Sequence, residues 1–358
     1  MSLAAGFSPV ARSLIVGAAI AIVLVVLQAA SPFIAPILLA AFIAVVATPP
    51  LRWMQRKGVP KWGALAVILL VLLDVGSLFA LVTTGALEGF RDSLPSYQER
   101  LILLLDQLGR WLESVGVDNA SEAVYDIFDP AALTILVRMA LTNVSGTFGT
   151  GLLVLLAVIF MLLEAPTLLN KLRAAFSLTE DGEARLIRVL SAVNQYMGIK
   201  ILTSLATALC IWFWLWILDI DFAVLLAVLA FLLNFIPFIG AILMAIPAVL
   251  MAMMQADLQT TLLVALGYFA VNTVIGSILE PRIMGRGLGI STLAVFLSLL
   301  LWGWVMGTVG VFLSVPLTMA LMIALEASPH TRPIAILLGP EITRERGSGD
   351  KTHKTRHP

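Results

Sequence analysis

Two short stretches of this 358-residue chain place polar chemistry inside otherwise apolar sequence. The first is Asn234-Phe235-Ile236-Pro237-Phe238-Ile239-Gly240. Pro237 removes a backbone donor, Gly240 loosens the chain, and the Asn234 amide can bond either freed backbone or a polar ligand. The second runs Glu280-Pro281-Arg282-Ile283-Met284-Gly285-Arg286-Gly287-Leu288-Gly289, with a carboxylate and a guanidinium two residues apart, able to pair with each other or with other helices. Just upstream, Asn272, Thr273 and Ser277 fall near one α-helical face with Glu280, a face offering amide, hydroxyl and carboxylate groups to a hydroxyl-rich solute. Lys200, Thr203, Ser204 and Thr207 form a weaker stripe, and Asp74 stands alone in the middle of an apolar run. Polar groups at such depth are costly, which makes them functional candidates; for Asp74 the alternative is an acid packed against the bundle or snorkelling to water.

Other chemistry is missing. The three histidines, His330, His353 and His357, all fall near the C-terminus, so no membrane-embedded histidine relay, metal triad or Ser-His dyad can be assembled. No GxxxxGK[ST] phosphate loop occurs. The chain reads as a non-enzyme that needs neither metal nor cofactor.

The elements that must position these groups follow from composition. Hydrophobic residues make up 60% of the chain and charged residues only 12%, with a mean hydropathy of +1.02. Soluble proteins carry about twice that share of charge, so most of this chain belongs in lipid. The formal charge of zero excludes a phosphate-binding surface of the kind nucleic acids need. The single cysteine, Cys210, excludes an intrachain disulfide. A crossing helix needs roughly 20 apolar residues. Apolar runs occur at Leu14 to Ala30, Phe33 to Ala47, Ala64 to Leu87, Gly151 to Leu163, Gly198 to Leu218, Phe222 to Ile236, Phe238 to Met254, Leu258 to Leu279, Leu293 to Trp302 and Val305 to Leu325. The first leads straight into the second and reads as an uncleaved anchor.

Lysine and arginine set the expected orientation, because basic loops stay cytoplasmic. Arg52, Arg56, Lys57 and Lys61, then Lys171, Arg173, Arg185 and Arg188, then the tail from Arg332 to Arg356, all fall on one side of the alternation. Both termini are therefore expected inside, and the acidic segment Glu88 to Ser145 outside. Within that segment, Leu101, Leu104, Leu105, Leu108, Trp111 and Leu112 recur at helical spacing and predict an amphipathic helix over Tyr97 to Val115. A second amphipathic helix is expected on the inner side over Leu186 to Met197. The polar tail from Glu341 reads as disordered.

The two interrupted stretches predict two helical hairpins entering from opposite faces and separated by one full span, the arrangement that places a transporter's site near the midplane. Plain loops between ordinary helices are the alternative. The Gly303 to Gly307 pair reads as small residues that let helices approach closely. The expected architecture is an all-α, polytopic membrane helix bundle with two helical hairpins and an extracytoplasmic amphipathic insert. Its divisions are 1–87 (N-terminal spans), 88–145 (insert), 146–218 (spans with a cytoplasmic amphipathic linker), 219–328 (hairpin core) and 329–358 (a disordered cytoplasmic tail).

These residues also carry a family likeness. NFIPFIG with Ala245-Ile246-Pro247 downstream, and ILEPRIMGRGLGISTLAVFLSLLLWGWVMGTVGVFLSVPLTM from Ile278 to Met319, resemble the autoinducer-2 exporter family of bacterial inner-membrane proteins. The likeness extends to LPSYQERL from Leu94, FMLLEAP from Phe160 and FIAVVATPPLRW from Phe42, so it covers nearly all but the tail. Ser291-Thr292 follows GLGI where many members have a proline, which is similar to the quorum-sensing exporter branch. The resemblance implies export of the signal autoinducer-2 by a homo-oligomer in the inner membrane, with Asn234, Pro237, Gly240, Asn272, Thr273, Glu280, Arg282 and Gly285 lining or gating the path. Relatives linked to cation/proton antiport make that the alternative, with Glu280 and Asp74 as coupling carboxylates. A third possibility is a membrane scaffold whose hairpins only pack.

Overall fold

The computed structural model describes residues 8–116, 151–165, 180–284, 289–329 and 331–339, with isolated positions between 166 and 179. Every regular element among them is a helix, as the hydropathy pattern predicts. Helix α1 (Pro9–Ala29) starts where the Ser8 hydroxyl accepts from the Ala11 amide at 3.2 Å, with proline in the first turn. After the single turn residue Ala30, α2 (Ser31–Arg56) buries Ala35, Ala40, Ala44, Ala47 and Leu51, a small-residue stripe at helical spacing. Helix α3 (Lys61–Ser114) packs Ala64, Leu65 and Ile68 onto that stripe, and α4 (Gly151–Ala165) adds Val154, Val158 and Leu162. The Lys61 ammonium donates to the Leu163 carbonyl at 3.3 Å, satisfying the exposed end of α4.

Helix α3 is 54 residues long and runs unbroken through Pro95, so the third span and the amphipathic helix expected from Tyr97 are one element. At 1.5 Å per residue it reaches about 80 Å, far more than a hydrocarbon core needs. Tyr97 and Leu105 are buried on it. The rest of the acidic insert, from 117 onward, lies outside the described residues.

Helix α5 (Glu180–Ile217) likewise joins two expected elements, the amphipathic Leu186 to Met197 and the following span, over 38 residues. Glu180, Asp181 and Glu183 in its first turn complement the helix dipole. Its buried stripe runs Val193, Tyr196, Met197, Lys200, Thr203, Ser204, Thr207, Ala208, Ile211 and Leu215, while Leu190 is exposed. The helix ends in a Schellman arrangement: the Ile220 amide reaches the Leu215 carbonyl and the Asp219 amide the Trp216 carbonyl. Asp219 occupies the left-handed position (φ 54°) that glycine usually fills.

The first hairpin is α6 (Ala223–Leu233) and α7 (Ile239–Gln255). The first arm is 11 residues rather than the expected 15, because Asn234 to Phe238 leave the helix and Phe222 caps it with φ 57°. Helix α8 (Leu258–Val271) opens on Asp257, whose carboxylate accepts from the Thr260 amide at 2.9 Å. It continues as a π-helical segment, Asn272–Leu279, and then α9 (Glu280–Met284). The stretch expected to be interrupted, Glu280 to Gly289, is thus helical through Met284, and residues 285–288 lie outside the described residues. A widened π turn carries the Glu280 amide to the Ile275 carbonyl and moves backbone away from where the proline ring would collide, so the helix passes through.

The second hairpin is hidden in what looks like one 34-residue helix, α10 (Thr292–Leu325). Gly307 sits at φ 63°, ψ −143° and folds it back. The Trp302 indole donates to the Thr318 hydroxyl at 3.0 Å, a contact that 16 residues of straight helix, about 24 Å, could not make. A Cβ on Gly310 would lie 1.8 Å from the Trp302 carbonyl, so the arms touch backbone to backbone. Gly303 does let the two arms approach closely, since a Cβ there would lie 2.9 Å from Val311 Cγ2, whereas Gly307 makes the turn between them. The tail begins with a further helix, α11 (Arg332–Leu338), rather than disorder; Ala335 is buried and the Ser291 amide donates to the Leu338 carbonyl at 2.8 Å. His330 and the residues from 340 onward, which include His353 and His357, lie outside the described residues.

Candidate functional site

The stripe of hydroxyls and one ammonium on α5 is where both interrupted stretches meet. Lys200 Nζ lies 2.8 Å and 3.0 Å from the two carboxylate oxygens of Glu280, and the Thr203 hydroxyl is 3.4 Å from one of them. The Lys200 and Glu280 side chains are only 7% and 14% exposed. One helical turn on, the Asn234 amide donates to the Ser204 hydroxyl at 2.9 Å, with both residues buried. Lysine and serine four residues apart on α5 thus hold the second and first interrupted segments, respectively. A buried ion pair survives only when geometry and extra hydrogen bonds offset desolvation, and the two-oxygen contact supplies such geometry.

The tip of the first hairpin is strained. The Ile239 amide donates to the Pro237 carbonyl at 2.7 Å around Phe238, whose φ of 62° and ψ of −54° make a γ-turn of the rare kind. Gly240 lies so close beneath Leu233 that a Cβ would come within 1.9 Å of its carbonyl oxygen. Phe235 from this tip packs against Phe231 at 5.5 Å and against Phe312 of the second hairpin at 6.0 Å between ring centroids. The two hairpins therefore touch through one aromatic ring beside the Asn234–Ser204 bond.

Not every residue expected in the path is placed here. Asn234, Gly240 and Glu280 face inward, and Pro237 is half-buried at the tip. Asn272 is half-buried with its carboxamide against Gly276, while the Thr273 hydroxyl donates back to the Phe269 carbonyl at 2.7 Å. Ser277 and Arg282 are exposed. The single polar face expected over 272–280 is not formed, because the π segment changes the angular step between those positions. Arg282 does not pair with Glu280, whose partner is Lys200. Asp74 is exposed on α3, and Gly285 lies outside the described residues. Among the described residues no group of acids, histidines or cysteines is placed to hold a metal ion.

A second polar cluster, which the sequence did not single out, ties α3 to the first hairpin. Tyr97 donates its phenol proton to the Asp221 carboxylate at 2.9 Å, the Asp221 amide donates to the Gln255 side chain at 3.2 Å, and Gln255 donates back to the Asp219 carbonyl at 3.3 Å. Burial, with the Asp221 carboxylate adding to it, pushes the Tyr97 phenol up to about 12. The Phe222 ring rests against Gly89.

This arrangement has recognisable relatives. A family model described as AI-2E family transporter matches residues 14–330. A Haemophilus influenzae protein named, provisionally, a transport protein is 40% identical over 92% of this chain and 96% of its own length. The Escherichia coli (strain K12) AI-2 transport protein TqsA is 39% identical over 88% of this chain and 92% of its own. More distantly, a sodium-lithium/proton antiporter of Halobacillus andaensis is 24% identical over 83% of this chain and 90% of its own. With a multi-pass helical bundle, two helical hairpins and this coverage, the chain belongs to the AI-2E family of membrane transporters.

Proposed function

We propose that this transporter exports a small polar solute, autoinducer-2 foremost, across the bacterial inner membrane by alternating access, as a homo-oligomer with both termini cytoplasmic and no cofactor. The observation that carries the reading is the α5 stripe. Its Lys200, Thr203 and Ser204 bind Glu280 and Asn234, so polar groups from both interrupted stretches converge in the interior of an apolar bundle. A hydroxyl-bearing solute can exchange hydrogen bonds with each of them. The similarity to the AI-2 transport protein TqsA supports that solute. The basic residues between α2 and α3 and in the tail support the orientation.

The test is the partition of autoinducer-2 between cells and medium in matched strains carrying wild type, Asn234→Ala or Glu280→Gln. Export predicts a higher intracellular level with either variant. Equal partitioning in all strains refutes it.

A second reading, cation/proton antiport, is favoured by the buried Lys200–Glu280 pair, since a charged couple at this depth is a natural coupling element, and by the distant antiporter relative. It makes Glu280 the coupling carboxylate. Asp74, exposed on α3, is the further coupling carboxylate that this reading invokes. Salt-driven pH changes in everted vesicles separate the two readings, because a pure solute exporter gives none.

A further inference from the structure

Tyr268 on α8 is 2% exposed, and its hydroxyl has no hydrogen-bond partner, the one such buried side-chain atom among the described residues. It lies in the apolar cluster where α5, α6, α7 and α8 meet. An orphaned buried hydroxyl is disfavoured, and phenylalanine would fill the same volume without that cost. A tyrosine held there in spite of it suggests a partner that arrives in another state of the protein.

The surroundings suggest how that state is reached. In that cluster the first hairpin contributes Leu226 and Ala230 from α6 and Met244, Ala248, Met251, Ala252 and Met254 from α7. Three of those seven are methionines, which adapt to changed neighbours, so the hairpin's side of the cluster can repack when it moves. The three non-glycine residues with positive φ among the described residues, Asp219, Phe222 and Phe238, bracket α6 at its two ends. Backbone strain of this kind collects at elements that switch. The hairpin is thus a strained, softly packed cover over an unsatisfied donor.

We propose that Tyr268 is a solute-binding residue: when the α6–α7 hairpin moves off α5 and α8, its hydroxyl bonds an oxygen of the transported solute. The idea rests on the transport reading above and adds a specific contact to it. The probe is autoinducer-2 efflux from proteoliposomes containing the full chain, wild type against Tyr268→Phe, with the thermal unfolding midpoint of both proteins in detergent. Loss of one neutral hydrogen bond raises the half-saturating concentration about fivefold while the unfolding midpoint stays level or rises. An unchanged half-saturation with working wild type overturns the assignment and leaves the transport reading standing. A lowered unfolding midpoint also overturns it, since the hydroxyl would then already be bonded in the resting protein. Wild type that moves no autoinducer-2 refutes the export of this solute and the Tyr268 contact with it.

Discussion

Removing one member of the Lys200–Glu280 pair should damage the protein far more than removing both. The two groups are in contact at 2.8 Å and 3.0 Å and their side chains are 7% and 14% exposed, so little water is available to either charge once its partner is gone. Breaking a buried pair from one side costs about 3–5 kcal/mol, whereas neutral replacement of both is close to neutral. Lys200→Met and Glu280→Gln should therefore each lose about 3–5 kcal/mol of unfolding free energy. The double variant, in which the glutamine still faces the Thr203 hydroxyl, should lose only about 1–2 kcal/mol, a non-additivity of several kcal/mol. Unfolding by SDS titration from mild detergent micelles, followed by tryptophan fluorescence, measures all three. Single variants each costing under about 1 kcal/mol, or a double variant costing the sum of the singles, would show that the pair is solvated and refute the reasoning.

Gly307→Ala meets open space but needs a φ, ψ combination that only glycine adopts readily, so it should lose about 1–3 kcal/mol in the same assay. Gly240→Val places a side chain into the Leu233 carbonyl and should sharply reduce the yield of monodisperse protein on size exclusion, with Gly240→Ala intermediate. Tyr97→Phe removes a hydrogen bond to a carboxylate and should lose about 1.5–3 kcal/mol at neutral pH. Because the Tyr97 phenol is raised from 10.0 to about 12, its contribution is complete below pH 10 and fades as pH rises through about 12; wild type should show that alkaline loss and Tyr97→Phe should lack it. Asp257 works in the opposite sense: hydrogen bonds from Thr260 hold its carboxyl below the usual range, so its contribution is present above the unfolded pKa and fades as pH falls through the folded one. Replacing it with alanine should flatten the acid limb of the unfolding curve.

The helices and their breaks were legible because hydrocarbon demands long apolar runs and penalises interruptions wherever they fall. Depth along a span is written in the sequence; the direction a residue faces is written more weakly. Asp74 and Lys200 are both single charges within apolar helices, yet one points out of the bundle and the other holds Glu280, and only helix packing distinguishes them. The polar face over 272–280 went astray for a related reason: a π turn changes the angular step, and no residue type announces one. The Tyr97–Asp221 contact bridges 124 residues and had no local signal at all. Tyr268 was invisible as chemistry because a tyrosine in an apolar run reads as core until its hydroxyl is seen to lack a partner.

The turn at Gly307 also decides a question of parity. Counted by length, α10 is one crossing and would deliver the tail to the face opposite its start. Folded at Gly307, it leaves and returns through the same face, and the bond from Ser291 to Leu338 closes that loop at its base. A reporter fused after Leu338 and one inserted beside Ser291 must then report the same compartment, whichever it is. A count that takes the whole of α10 as one span would instead put these two reporters on opposite sides of the membrane.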